Sequence, residues 1–178
     1  MKKIFCTTSV ALAMLGLMTN SAKASDISRL GDMMMVMSPA YAWGMTIMEN
    51  DWDGTIQLGE VMLGTQATVE GLKLLKLEER PNHHDKRSFP SGHATAAFSG
   101  AMFVHKRYGW KPALVPYTMA VITSWARVKG KNHYAHDTIA GAAISAVWNW
   151  LLVDKYVPNK ISITADTNSV GLNFNTKF

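Results

Sequence analysis

The chain has 178 residues, enough for one domain with its own core. Its formal charge is +5, but Lys2, Lys3 and Lys23 lie at its start, and without them the charge is +2. No basic face stands out, which argues against a nucleic-acid partner, and with Cys6 as the one cysteine the chain past that point has no thiol for disulfides, thiolate catalysis or cysteine metal sites.

The first elements concern targeting. Lys2 and Lys3 make a basic start, an apolar run follows from Val10 to Met18, and Ala22-Lys23-Ala24 has the small-x-small pattern of a signal-peptidase site. The expectation is a signal peptide over residues 1–24, cleaved after Ala24 to leave Ser25 as the mature start. The apolar run is short for a bilayer span of ~20 residues, which disfavours an uncleaved anchor. Cys6 precedes that run, the wrong place for lipid attachment.

Past the signal, apolar segments alternate with turns. Ile27 to Met37 reads as an amphipathic helix and Tyr41 to Met48 as a second, with Ser38-Pro39 as the break. The Met33 to Met37 run suits core or membrane-facing packing better than a ligand site. Asn50 to Gly54 is a turn with helix-capping chemistry; its two aspartates serve a cap better than a metal. Thr55 to Glu79 reads as one long helix, on which Gly59, Gly64 and Gly71 would admit a close neighbour, and Pro81 to Pro90 as a polar loop. Helices follow over Ala94 to Tyr108, Ala113 to Val128 with Pro116 in its first turn, and Thr138 to Val153.

None of these segments is an uninterrupted apolar run of spanning length. The expected fold is all-α: a bundle of about five or six helices over residues 25–159, soluble or lying on a membrane, with a multi-span protein as the alternative. After Pro158 the period changes to two: Ile161 and Ile163, then Val170, Leu172 and Phe174, alternate with polar residues around Asp166 to Ser169. This predicts a short C-terminal β-hairpin within residues 160–178, acting as a small cap on the helices.

Three clusters between Lys73 and Asp137 carry chemistry. His133 and Asp137 are four apart and would share a face on a helical turn. A carboxylate holding one imidazole nitrogen as N–H leaves the other free to attack phosphorus. A capping aspartate beside a surface histidine explains the same spacing. Phe89-Pro90-Ser91-Gly92-His93 stands just before a helix, whose first N–H groups and positive dipole end form an anion cradle. Gly92 lets the backbone approach a ligand, Ser91 adds a hydroxyl donor, and His93 would stand beside the anion as general acid. Taken alone this is an ordinary capped turn. Lys73, Arg80 and Arg127 supply fixed positive charge of the kind that stabilises a phosphoryl transition state, although each alone reads as a solvated surface charge.

Jointly the clusters resemble the type 2 phosphatidic acid phosphatase family, which belongs with the vanadium haloperoxidases and bacterial class A acid phosphatases. Lys73, Arg80 and Pro81 match its Lys-x6-Arg-Pro motif. Pro90, Ser91, Gly92 and His93 match Pro-Ser-Gly-His in full. Arg127, His133 and Asp137 match Ser-Arg-x5-His-x3-Asp, with Ala126 in place of the serine, a loss expected to be tolerated. The resemblance implies the family's helical bundle over residues 25–159. It implies His133 as nucleophile through a phosphohistidine, Asp137 orienting it and His93 protonating the leaving group. Lys73, Arg80, Arg127, Ser91 and the Gly92 amide would bind the phosphoryl oxygens, with no metal and no other cofactor.

The reading that follows is a periplasmic, metal-independent phosphatase, membrane-associated through its apolar surface. Its expected substrates are lipid phosphates such as phosphatidate, phosphatidylglycerophosphate or undecaprenyl diphosphate. Alternatives are a soluble acid phosphatase on small phosphomonoesters, a vanadate-dependent haloperoxidase, and a non-catalytic phosphate- or lipid-binding protein. A zinc site from His83, His84, His133 and His136 is weaker, because His83 and His84 sit in a polar loop. The oligomeric state is open.

Overall fold

The computed structural model describes residues 24–157 and the strand segments 160–166 and 169–175. The expected signal peptide lies outside the described residues, apart from Ala24. Five helices follow in order: α1 (Ala24–Met48), α2 (Trp52–Leu74), α3 (Gly92–Tyr108), α4 (Trp110–Lys129) and α5 (Ala135–Leu152). Strands β1 (Lys160–Asp166) and β2 (Ser169–Asn175) pair antiparallel, with Ile163 opposite Leu172. This is the all-helical bundle expected, followed by the expected hairpin.

The bundle is organised around α3, which touches all four other helices. Its composition explains this. Ala94, Thr95, Ala97, Ser99, Gly100 and Ala101 are all buried, and residues this small let neighbouring backbones approach from every side. At Gly100 a β-carbon would lie 2.7 Å from the backbone of Pro39. That contact corrects the expected break at Ser38-Pro39: α1 runs straight through Pro39. The proline sacrifices a helical hydrogen bond, but it is buried on α3, and Ser38 Oγ donates to the Ala97 carbonyl at 2.6 Å.

Several boundaries also differ from expectation. α2 stops at Leu74, five residues short of Glu79, because Lys76 takes a left-handed conformation (φ 48°) before Pro81 is reached. Of Gly59, Gly64 and Gly71 only Gly64 meets a neighbour, the Trp148 ring of α5, which lies 2.6 Å from where a β-carbon would stand. Trp148 Nε1 then donates to Thr68 Oγ1 at 3.0 Å. α4 begins at Trp110, directly after Gly109 (φ 98°), so Pro112 occupies its first turn and Pro116 lies deeper.

Two kinds of core hold the helices. Leu58, Val61, Phe103, Val104, Ala42, Ala113 and Val153 form the main apolar cluster. Between α2, α3 and α5 runs a buried hydroxyl ladder: Ser99 Oγ donates to Ser145 Oγ at 3.1 Å, and Ser145 Oγ contacts the Thr95 carbonyl at 2.8 Å. At one end of the bundle, buried Asp51 caps α2 by accepting from the Gly54 amide at 3.0 Å. The same carboxylate pairs with Arg107 and accepts from Tyr108 Oη at 2.6 Å. Burial alone would raise its pKa; the bonds from Arg107 and Tyr108 outweigh burial and hold it below the ordinary value.

Among the described residues no helix is long and apolar enough to cross a membrane. The outer faces are nonetheless apolar. Met33, Val36, Met37 and Ile47 on α1, and Trp110, Leu114, Val121 and Trp125 on α4, are exposed.

Candidate active site

Six stretches of the chain converge at the other end of α2. Lys73 lies in its last turn. Its ammonium pairs with Glu70 at 3.3 Å and stands 3.2 Å from where a Gly92 β-carbon would be. A side chain at Gly92 would therefore push against the Lys73 ammonium, so glycine here brings the amide end of α3 up to a cation.

Ser91 is the N-cap of α3: its Oγ accepts from Ala94 N at 3.4 Å, leaving the hydroxyl hydrogen to donate. Ser91 N donates to the Asp137 carbonyl at 3.1 Å, joining the start of α3 to the start of α5. Arg127 lies in the last turn of α4, its side chain only 8% exposed. One of its terminal nitrogens donates to the Ser28 carbonyl at 2.9 Å and contacts Asp32, while its Nε is buried and makes no hydrogen bond among the described residues. Arg80 donates through Nε to Asp85 at 2.8 Å.

His133 is 3% exposed and stands just before the Tyr134 N-cap of α5. It does not share a helical turn with Asp137, contrary to the spacing argument. Its Nδ1 lies 2.8 Å from the Ser88 carbonyl, which requires Nδ1–H and leaves Nε2 with its lone pair. Asp137 Oδ2 is farther from that nitrogen, at 3.5 Å. The carboxylate instead accepts from Ser88 Oγ at 2.6 Å and from Tyr134 N at 2.9 Å. Asp137 thus reaches the imidazole chiefly through Ser88, which is fully buried. Burial first, then the nearby Arg80 charge, pull the His133 pKa down to about 4, so the ring is neutral at pH 7.

His93, on the first turn of α3, points Nε2 at Asp32 Oδ1, 3.1 Å away. Its pKa is lowered, by burial first and then by Arg127, against an upward pull from Asp32.

All eight residues singled out in the sequence therefore lie in one region. Ser88 and Asp32 were missed. Ser88 acts partly through its carbonyl, which any residue type could supply, and Asp32 sits on a helix far from the motifs in sequence. Replacing Ser88 by alanine removes a donor from a buried carboxylate and frees Asp137 to shift. The expected result is a fall in kcat of roughly ten- to a hundredfold with little change in KM, comparable with losing the partner of a metal-bound histidine. Steady-state kinetics check this, and an unchanged kcat would remove Ser88 from the site.

For metals, the four histidines of the zinc alternative do not converge. His83 contacts Glu79 at 2.7 Å, His84 lies 3.9 Å from Asp85, and His133 faces Ser88. Among the described residues, Glu78, His136 and Asp137 do bring three ligand atoms within 4.8 Å of one another. Glu78 already holds His136 Nε2 at 2.7 Å and raises its pKa, which accounts for this cluster as an ion pair.

The family model of the PAP2 superfamily matches residues 7–160, most of the chain and all three motifs. The chain belongs to the PAP2 superfamily. It is similar to the lipid A 4'-phosphatase of Helicobacter pylori, with 29% identity over 154 residues, covering 80% of this chain and 77% of the relative. It also matches the lipid A 1-phosphatase of Porphyromonas gingivalis at 28% identity over 106 residues; this is 58% of the chain but only 22% of that longer protein. The crystal structure of Aquifex aeolicus LpxE shares the fold, with a TM-score of 0.57 and 19% identity over 79% of this chain and 92% of that one. This PAP2 protein is a phosphatase, and the family's helical bundle is the one observed.

Proposed function

We propose that this PAP2 phosphatase removes phosphate from a lipid of the lipid A type at a membrane surface, through a phosphohistidine on His133. The observation that carries the mechanism is a buried, neutral His133 whose Nδ1–H is held by the Ser88 carbonyl, beside a cluster of fixed cations. His133 Nε2 attacks phosphorus while the bond to the leaving oxygen breaks, and that oxygen takes a proton from His93. His93, now neutral, accepts a proton from the water that attacks the phosphohistidine, and phosphate leaves with both histidines restored. Asp137 and Ser88 keep the imidazole aligned. Lys73, Arg80, Arg127, Ser91 and the Gly92 amide hold the phosphoryl oxygens, where charge builds in the transition state.

Two observations support a lipid substrate. The relatives are named for lipid A phosphates. The exposed apolar face of α1 includes Met33 and Val36, close in the helix to Asp32, which itself touches His93 and Arg127. Export to the periplasm through the leading segment completes the proposal.

The test is phosphate release by the purified protein in the presence of EDTA. Lipid A, phosphatidate, undecaprenyl diphosphate and para-nitrophenyl phosphate are offered in parallel, each lipid in mixed micelles. Preference for lipid A, insensitive to the chelator, is the expected result. A preference for para-nitrophenyl phosphate would overturn the lipid assignment in favour of small phosphomonoesters.

A further inference from the structure

A single oxygen, Asp32 Oδ1, contacts both an Arg127 terminal nitrogen and His93 Nε2. In the reading given above these are the guanidinium that grips a phosphoryl oxygen and the nitrogen that protonates the leaving oxygen. We propose that Asp32 is a built-in stand-in for the substrate's phosphate: in the resting enzyme its carboxylate fills the anion seat between Arg127 and His93, and a phosphomonoester enters by displacing it.

The backbone beneath Asp32 is fixed. A β-carbon on Gly31 would lie 2.8 Å from Ala126 Cβ, so α1 is pressed against α4 at this point. Arg127 donates to the Ser28 carbonyl at 2.9 Å, and Asn132 Nδ2 donates to Ser28 Oγ at 3.3 Å. Ala126 takes part in that contact; a serine at this position would have to fit its hydroxyl into the same gap.

The two sides of the Asp32 contact differ in freedom. The Asp32 side chain is 51% exposed, whereas the Arg127 side chain is 8% exposed. The carboxylate can therefore rotate into solvent, while the guanidinium stays. Charge sets the direction of exchange. A carboxylate carries one negative charge, and a phosphomonoester carries nearly two at neutral pH and offers three acceptor oxygens. The exchange favours a terminal phosphate over a phosphodiester, which gains no charge on replacing the carboxylate. In the resting state Asp32 also avoids leaving buried Arg127 without a counter-ion, a costly arrangement.

The inference rests on the site reading, and its test separates the two. Inorganic phosphate is titrated calorimetrically into the full-length wild type and into Asp32→Asn, Asp32→Ala and Arg127→Ala variants near neutral pH, with thermal melts as a check on folding. If the carboxylate competes for the seat, its removal raises the competent fraction, and both Asp32 variants bind phosphate on the order of tenfold more tightly than wild type. KM for a phosphomonoester falls in parallel, by more than kcat changes. A purely structural Asp32 would give the opposite sign, because loosening α1 weakens the site. Loss of binding in Arg127→Ala, with folded Asp32 variants no tighter than wild type, overturns the stand-in and leaves the site reading in place. Absence of phosphate binding from every chain, wild type included, overturns both.

Discussion

Alanine at His133 is expected to lower kcat by roughly 10⁴-fold or more, because it removes the nucleophile of the proposed mechanism and residues of one catalytic unit fail together. The folded state is not expected to follow, since the ring's described hydrogen bond is to a backbone carbonyl that a water can occupy. The intermediate gives a second readout. Wild type quenched in base during turnover of labelled substrate keeps a base-stable, acid-labile label, and His133→Ala keeps none. Label retained on the variant would move the nucleophile elsewhere.

The pH profile of kcat/KM reports the same chemistry. A nucleophile works deprotonated, so activity falls as pH drops through the His133 value of about 4, set by burial and Arg80 against Asp137. A general acid works protonated, so activity falls as pH rises through the His93 value. That value lies below 6.5 because burial, Arg127 and Lys73 outweigh Asp32. The free enzyme is therefore expected to work better at acidic than at neutral pH. A profile that keeps rising above neutral pH would contradict the assignment of His93 as acid.

The second large effect concerns the far end of the bundle. Asp51→Ala leaves the Arg107 guanidinium buried without its charge partner and removes the α2 cap. Breaking a buried pair costs about 3–5 kcal/mol, and loss of a cap typically about 1 more. Against a total stability of roughly 5–15 kcal/mol, this is enough to shift the urea midpoint far down or to unfold the chain. Asp51→Asn retains the shape and an oxygen for the Gly54 amide, and should lose less. The carboxyl's depressed pKa adds a sign. Its contribution is complete above the ordinary carboxylate value of about 3.9 and is lost as pH falls through the lower, folded value, so acid unfolding should be less steep in Asp51→Asn. An unchanged midpoint in both variants would make the pair a bystander.

Much of this was readable from residues in order, for identifiable reasons. The helices announced themselves by apolar periodicity, and the Asn50 to Gly54 turn by its capping chemistry, although α2 starts at Trp52 and not at Thr55. Lys73, Arg80, Ser91, Gly92, His93, Arg127, His133 and Asp137 stand at the spacings of the family's three motifs. What stayed hidden depends on contact at a distance. Pro39 reads as a break until Gly100 is found facing it. Pro81 reads as the end of α2, yet the turn at Lys76 comes first. The Arg107–Asp51 pair spans 56 residues and the Arg127–Asp32 pair 95, beyond any local pattern. Ser88 gives no signal because half of its role belongs to the peptide backbone.

The site draws on every helix of the domain. Asp32 comes from α1, Lys73 from α2, His93 from α3, Arg127 from α4 and Asp137 from α5, with Arg80, Ser88 and His133 on the segments between them. No single helix holds more than one of these five residues. If the proposed site is the working one, a partly folded molecule is expected to be silent rather than slow, with phosphate hydrolysis following closure of the whole bundle.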